Sequence, residues 1–226
     1  VPDFRDLPLM KHLPRAKLPT DEPLVLASGS PRRAQLLRAA DYAFTVDPAS
    51  DHAESGSRSR ETAPEKVVRL AFQKAADVVP RAPSGLVLAA DTLADVDGQI
   101  LGKPQDEQHA EAMLRTLSGR HHQVYTGVCL WSRRQSRYLI DVVRTELRMQ
   151  PISEKMLREY LDSMLWEGKA GAFGYQDGND WLSIVGSGSE SNVVGLPMER
   201  LAELLENFHA LAETVDNTKG NTPLGS

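Results

Sequence analysis

The chain holds one cysteine among its 226 residues, Cys129, which excludes an internal disulfide. The thiol lies in an apolar run, VYTGVCLW, and reads as a buried structural group. No apolar segment approaches the ~20 residues that span a bilayer. The first stretch, VPDFRDLPLMKHLPRAKLPTDEP, is proline-rich and charged and lacks the apolar centre of a signal peptide. Together these absences lead to the expectation of a cytoplasmic protein with no membrane partner. Basic charge is not in excess either: 26 Lys and Arg against 31 Asp and Glu leave a formal charge of −5. Binding a nucleic-acid polymer calls for a basic field along its phosphates, so that partner is not expected. A small anion needs only a local basic pocket. His121-His122 has no ligand partner at zinc spacing, and H-x-x-x-H is missing. The chain has no Walker loop, and GSGSE at 186–190 matches neither a dinucleotide fingerprint nor a nucleophile elbow and reads as a flexible turn.

What is present is enough apolar residue, 41%, to bury a real core. Residues 1–23 carry five prolines and little periodicity and are expected to be a disordered or loosely docked extension. The polar residues 209–226 read as a mobile tail. Between them strands and helices alternate. LVLA (24–27) is a short strand, followed by a helix with Ser30 as N-cap and Pro31 at its first position. YAFTVDP reads as a strand and DHAESGSRSRE as a polar loop. Thr62-Ala-Pro-Glu65 has capping-box spacing and launches a helix with Val67, Leu70, Ala71, Ala75 and Val78 on one stripe. LVLAA (86–90) is an apolar strand ending at Asp91. Asp97-Gly98 is a tight turn, and Asp106 begins a helix ending near Gly119. HQVYTGVCLW and RYLIDVVRTELRM are two long strands. A helix over 153–165, strands near GAFGYQ and WLSIV, and a helix from Pro197 through Leu205 complete an α/β fold with a mixed sheet.

Several charged residues have no packing reason to be where they are. Arg32 and Arg33 open a helix, where the macrodipole disfavours cations. An anion bound by the turn's N–H groups, the hydroxyls of Ser28 and Ser30 and an arginine fork would explain them. Lys74 falls on the apolar stripe of its helix, either snorkelling from its edge or directed into a cleft. Asp91 and Thr92 stand at the end of a strand, where ligands collect in open α/β sheets. Lys103 sits in Gly102-Lys103-Pro104. These cations, with the acids Glu54 and Asp91, suit a polyphosphate bound with a divalent metal, the acids holding the metal and activating water.

The blocks SGSPRR, RLAFQKA, LAADT, DGQILGKP, MLRTLSGRHHQVYTGV, KAGAFGYQ and NVVGLP occur in an order that resembles the Maf family of nucleoside triphosphate pyrophosphatases, over about Leu24 to Leu205. The resemblance implies a Maf-like domain over 24–208, similar to the inosine triphosphatases: an elongated twisted mixed sheet flanked by helices, in two lobes around a deep cleft, often in a homodimer. It implies hydrolysis between the α and β phosphates with Mg²⁺ or Mn²⁺. The family's functional positions fall on Ser28, Arg32 or Arg33, Lys74, Asp91, Lys103 and Gln176, and its acidic loop residue on Glu54, with Asp51 as a rival. The Arg-Arg pair, Ala-Asp-Thr and Gln176 are similar to the dTTP/UTP type rather than the 7-methyl-GTP type. Gly168 departs from that type, which usually has Asp before Lys-Ala-Gly.

On this reading Glu54 and Asp91 hold the metal and Asp91 orients or deprotonates the attacking water, with Thr92 supporting it and counted with the phosphate-binding residues. Ser28, the Ser30-to-Arg33 helix start, Lys74 and Lys103 neutralise the leaving diphosphate, and Gln176 positions water or a phosphate oxygen. The competing readings are a pyrophosphatase of the 7-methyl-GTP type and a nucleotide-regulated protein that acts through a partner in cell division.

Overall fold

In the computed structural model, which describes residues 12–18, 22–54, 56 and 60–219 (209–219 as backbone only), the described strands form one mixed sheet. β1 (Leu24–Leu26) lies between β2 (Phe44–Val46) and β3 (Leu86–Val96), parallel to both. β4 (Gln99–Leu101) turns back against the end of β3. β5 (His121–Ser132), β6 (Arg137–Met149) and β7 (Leu182–Ile184) continue the sheet antiparallel, giving the order β2-β1-β3-β5-β6-β7.

α1 (Pro31–Ala39) and α6 (Met198–Lys219) cover one face, where Leu86, Leu88 and Ala90 of β3 point. α2 (Ala63–Val78) covers the other, over Val87 and Ala89. Burial on both faces is why this strand reads as an unbroken apolar run. α3 (Glu107–Leu117) and α4 (Glu154–Asp162) close a second core around the far half of the sheet, and α5 (Glu190–Val194) lies between β5 and α6. Local signals place most helix starts. Thr62 N–H donates to Glu65 at 2.9 Å, and Asp106 and Ser153 accept from the N–H groups of His109 and Met156. Cys129 is buried among apolar side chains, which push its thiol up to about 12 and leave it a structural group.

Four expectations change. β3 does not end at Asp91; it runs five residues further, to Val96, because β5 keeps pairing with it after β1 has stopped at Leu26. The segment GAFGYQ is not a strand but two 3₁₀ turns, Ala170–Ala172 and Tyr175–Asp177. Gly171 at φ 70° and Gly178 at φ 73° turn the chain there. GSGSE is open at Gly186 but packed at its end: a Cβ on Gly188 would stand 2.5 Å from Thr145 Cγ2, and Ser189 caps α5. The last helix reaches Lys219 rather than Leu205, taking in part of the tail read as mobile; 220–226 lie outside the described residues. Of the first 23 residues, Ala16 is buried and its N–H donates to Tyr42 Oη at 2.8 Å.

His122 on β5 is fully buried, edge-on to Phe173 with ring centroids 5.1 Å apart. Burial pushes its imidazole down to about 4. The unfolded chain therefore binds more protons between pH 6.5 and 4, so the His122 contribution is present above pH 6.5 and is lost as pH falls through about 4. Urea unfolding should show His122→Phe losing on the order of 2 kcal/mol less stability than the parent between pH 7.5 and 4.5. Equal losses in both would remove His122 from the acid response.

Candidate active site

β1 stops at Leu26 while β3 continues, and the chain leaving β1 turns into α1 at that step. The step is the floor of a cleft of about 520 Å³, within the range of small-ligand sites. Ser28, Ser30, Arg32, Arg33, Glu54, Lys74, Asp91, Thr92, Lys103 and Gln176 all line it. Successive side chains of a strand leave opposite faces. Asp91 accordingly meets α2 on one side of β3, and Thr92 meets Arg33 on the other. Because β1 is absent at this level, both faces open into the same space.

On the α2 side, Lys74 is buried, and its ammonium lies 2.5 Å from Asp91 Oδ1 and 2.9 Å from Glu54 Oε1. Glu54 comes from a 3₁₀ turn at Asp51–Glu54; Asp51 also lines the cleft, but Glu54 is the one that reaches Lys74. Partial burial works to raise the Glu54 pKa. The hydrogen bond and charge of Lys74, with the charges of Lys103 and Arg33, outweigh it and hold the carboxyl below its ordinary value.

On the other side, Ser30 takes the N-cap position of α1, but its side chain makes no cap hydrogen bond, and its N–H donates to Ser28 Oγ at 3.3 Å. The two arginines are distinguished here. Arg33 is buried and tied down by three acceptors: Ser28 Oγ at 2.9 Å, Gly195 O at 2.8 Å and Thr92 Oγ1 at 3.2 Å. Arg32, half-buried, donates to Gly168 O at 2.8 Å across the mouth of the cleft. Burial lowers the pKa of both, with Asp91 working against this at Arg33 and Asp177 at Arg32; a guanidinium stays charged throughout. The expectation that Thr92 supports Asp91 is corrected. Its hydroxyl bonds to Arg33 and Thr126, because it projects from the opposite face of the strand.

Lys169, which lines the cleft, and the Asp177 and Tyr160 that hold it from behind are not among the site residues expected from the sequence, although Lys169 opens the KAGAFGYQ block and Asp177 follows Gln176. Their partnership needs the 3₁₀ turns, which leave no periodic signal.

Among the described residues, no three His, Cys, Asp or Glu side chains come together to hold a metal ion. The Glu54 and Asp91 carboxylates do converge on one cationic point, now the Lys74 ammonium. One or two carboxylates completed by phosphate oxygens and water is the usual way of holding Mg²⁺ with a nucleotide, so this donor pair fits such an ion. Charge balance agrees. The cleft lining has five cations (Arg32, Arg33, Lys74, Lys103, Lys169) against four carboxylates (Asp51, Glu54, Asp91, Glu167), and Lys169 is already paired with Asp177, so no excess is left to neutralise a triphosphate. No helix among the described residues is long and apolar enough to cross a membrane.

Residues 23–208 match the family described as Maf-like protein. A dTTP/UTP pyrophosphatase of Rhodopirellula baltica is 65% identical over 211 residues, covering 91% of this chain and 93% of that protein. Another from Myxococcus xanthus is 44% identical, covering 81% and 91%. Among solved structures, the Ham1 protein of Staphylococcus aureus superposes with a TM-score of 0.42 at 13% identity over 57% of this chain and 72% of the other, too loose a match to build on. Seven ordered motifs, a mixed sheet with a stepped cleft and this extent of identity lead to one assignment: the chain belongs to the Maf family.

Proposed function

We propose that this protein hydrolyses nucleoside triphosphates, with dTTP and UTP as its preferred class, between the α and β phosphates to yield the monophosphate and diphosphate. The observation that carries the reading is the Glu54–Lys74–Asp91 cluster facing the Ser28–Arg33 helix start across one cleft. Carboxylates beside a row of cations are what phosphoryl hydrolysis requires: one set to position water, the other to take up charge on the leaving group. The names of the relatives supply the substrate class.

Each side chain then has a task. Asp91 accepts a hydrogen bond from the attacking water and takes its proton. Lys74, shared between Asp91 and Glu54, lies where an oxygen of the triphosphate can draw it away, leaving Asp91 a stronger acceptor. Arg32, with one hydrogen bond among the described residues against the three of Arg33, is the arginine that turns to phosphate. Arg33 instead stiffens the Ser28 turn and adds its charge from below. Ser28, Ser30 and Lys103 complete the diphosphate cradle, and Gln176 donates from the facing loop. Glu54 and Asp91 would hold a divalent cation, Mg²⁺ or Mn²⁺, whose chemistry is to neutralise phosphate charge and acidify water.

The test is a panel of nucleoside triphosphates with Mg²⁺ or Mn²⁺, followed by diphosphate release. UTP and dTTP should be turned over fastest, each giving monophosphate. Silence across the panel, or orthophosphate as the sole product, would sink the proposal.

A further inference from the structure

Lys169 is a buried cation of the cleft with no part in the chemistry described above. Its ammonium lies 2.5 Å from both oxygens of Asp177, and the Tyr160 hydroxyl donates to Asp177 Oδ2 at 2.7 Å. The pair is shut away, with side chains 9% and 3% exposed. Gly174 makes the room: a Cβ there would stand 2.5 Å from Lys169 Nζ and would strike the Asp177 carboxylate. A buried ion pair is weak evidence of a stabilising role, since well-packed apolar side chains often do as well. An ammonium also has three N–H donors. Two are taken by Asp177, the third has no acceptor among the described residues, and Lys169 is part of the cleft lining.

The cleft lining is of two kinds. Lys74 and Asp91 are ion-paired, with Ser28 also in the lining, while Val124, Phe173 and Val193 belong to the apolar core around the far half of the sheet, and Lys169 and Gln176 flank Phe173 in the chain. Phosphates belong against the first and a flat base against the second. The charge of Lys169 is already balanced by Asp177, so its remaining N–H suits a neutral acceptor rather than another anion.

We propose that Lys169, oriented by Asp177 and Tyr160, is a specificity-determining residue that donates a hydrogen bond to a carbonyl oxygen on the base of the bound nucleotide. Uracil and thymine present an acceptor, O4, where cytosine presents an amino donor, so Lys169 favours UTP over CTP. The inference rests on the nucleotide reading above.

The experiment uses the double variant Lys169→Met/Asp177→Asn, which removes both charges and strands neither. Loss of a hydrogen bond to a charged donor predicts that kcat/KM for UTP falls about 10- to 100-fold. For CTP it should change less than about threefold, as nothing there depends on the lost donor. Independently of hydrolysis, UMP should bind more weakly by the same factor, with inorganic pyrophosphate unaffected. An equal fall for both nucleotides, weakened pyrophosphate binding or unchanged UTP turnover would each overturn the assignment. Should the double variant fail to fold, Tyr160→Phe decides. It keeps both charges but loosens Asp177, and an unchanged UTP-to-CTP ratio would count against Lys169. Parent protein that binds UMP through Lys169 yet hydrolyses no triphosphate would leave this inference standing and remove the enzymatic one.

Discussion

Asp91→Asn is expected to lower kcat by about a thousandfold, inside the 10²- to 10⁴-fold range of a general base, while the protein still folds. Asparagine matches the shape of aspartate but can neither take a proton nor carry the charge that helps hold a cation. The fold should survive because Lys74 keeps a second carboxylate, Glu54, at 2.9 Å, so its ammonium is not stranded in the interior. A loss of about 1 kcal/mol would move Tm by about 2–4 °C in a chain of this size. KM should change little, because Arg32, Lys103 and the helix start still hold the phosphates. Steady-state kinetics with UTP beside a thermal melt makes the check. Turnover within tenfold of the parent would take Asp91 out of its role, and a collapsed melt would make it structural.

The second large effect is expected far from any charged group. Gly127 on β5 is the register partner of Asp91, and α2 crosses directly above it. A Cβ at this position would stand 2.5 Å from the Val67 carbonyl carbon and 2.8 Å from Val68 N, and would strike the Val67 oxygen. These are backbone atoms, so the helix itself must move. Gly127→Ala should gain about 0.5–1 kcal/mol from lower chain entropy and lose about 1–3 kcal/mol or more to overpacking. With contacts this short the second term wins, and Tm should fall by roughly 5 °C. The displaced helix carries Lys74 two turns beyond Val67, on the same face. A shift of about 1 Å there can cost around a hundredfold in turnover. A melt and a UTP assay on one preparation test both halves. Parental stability would mean that α2 rides higher than described.

Much of the layout was legible because its signals are local. The capping box at Thr62, the proline at the start of α1, the apolar run of β3 and the two long strands around residues 133–136 each lie within a few residues of the element they specify. Charged residues out of place were legible for a related reason. A lysine on an apolar stripe or arginines at a helix start carry a cost visible in one dimension, and Arg32, Arg33 and Lys74 stand in the same cleft. The segment GAFGYQ misled because an apolar, aromatic run without periodicity reads as a strand. Its glycines and the Lys169–Asp177 pair fold it into turns instead.

By itself the sequence determined the class of fold, the family and several of the charged residues that meet in the cleft, since composition, periodicity and motif order are properties of the chain. Only the tertiary structure decided how that set divides. It put Asp91 in mid-strand, with Thr92 on the opposite face. It gave Glu54 rather than Asp51 to Lys74, and it tied Arg33 to Gly195, 162 residues away, leaving Arg32 at the mouth. The physical reason is the step in the sheet. Where β1 ends and β3 goes on, side chains from both faces share one space, and no local pattern in the chain records where a neighbouring strand stops.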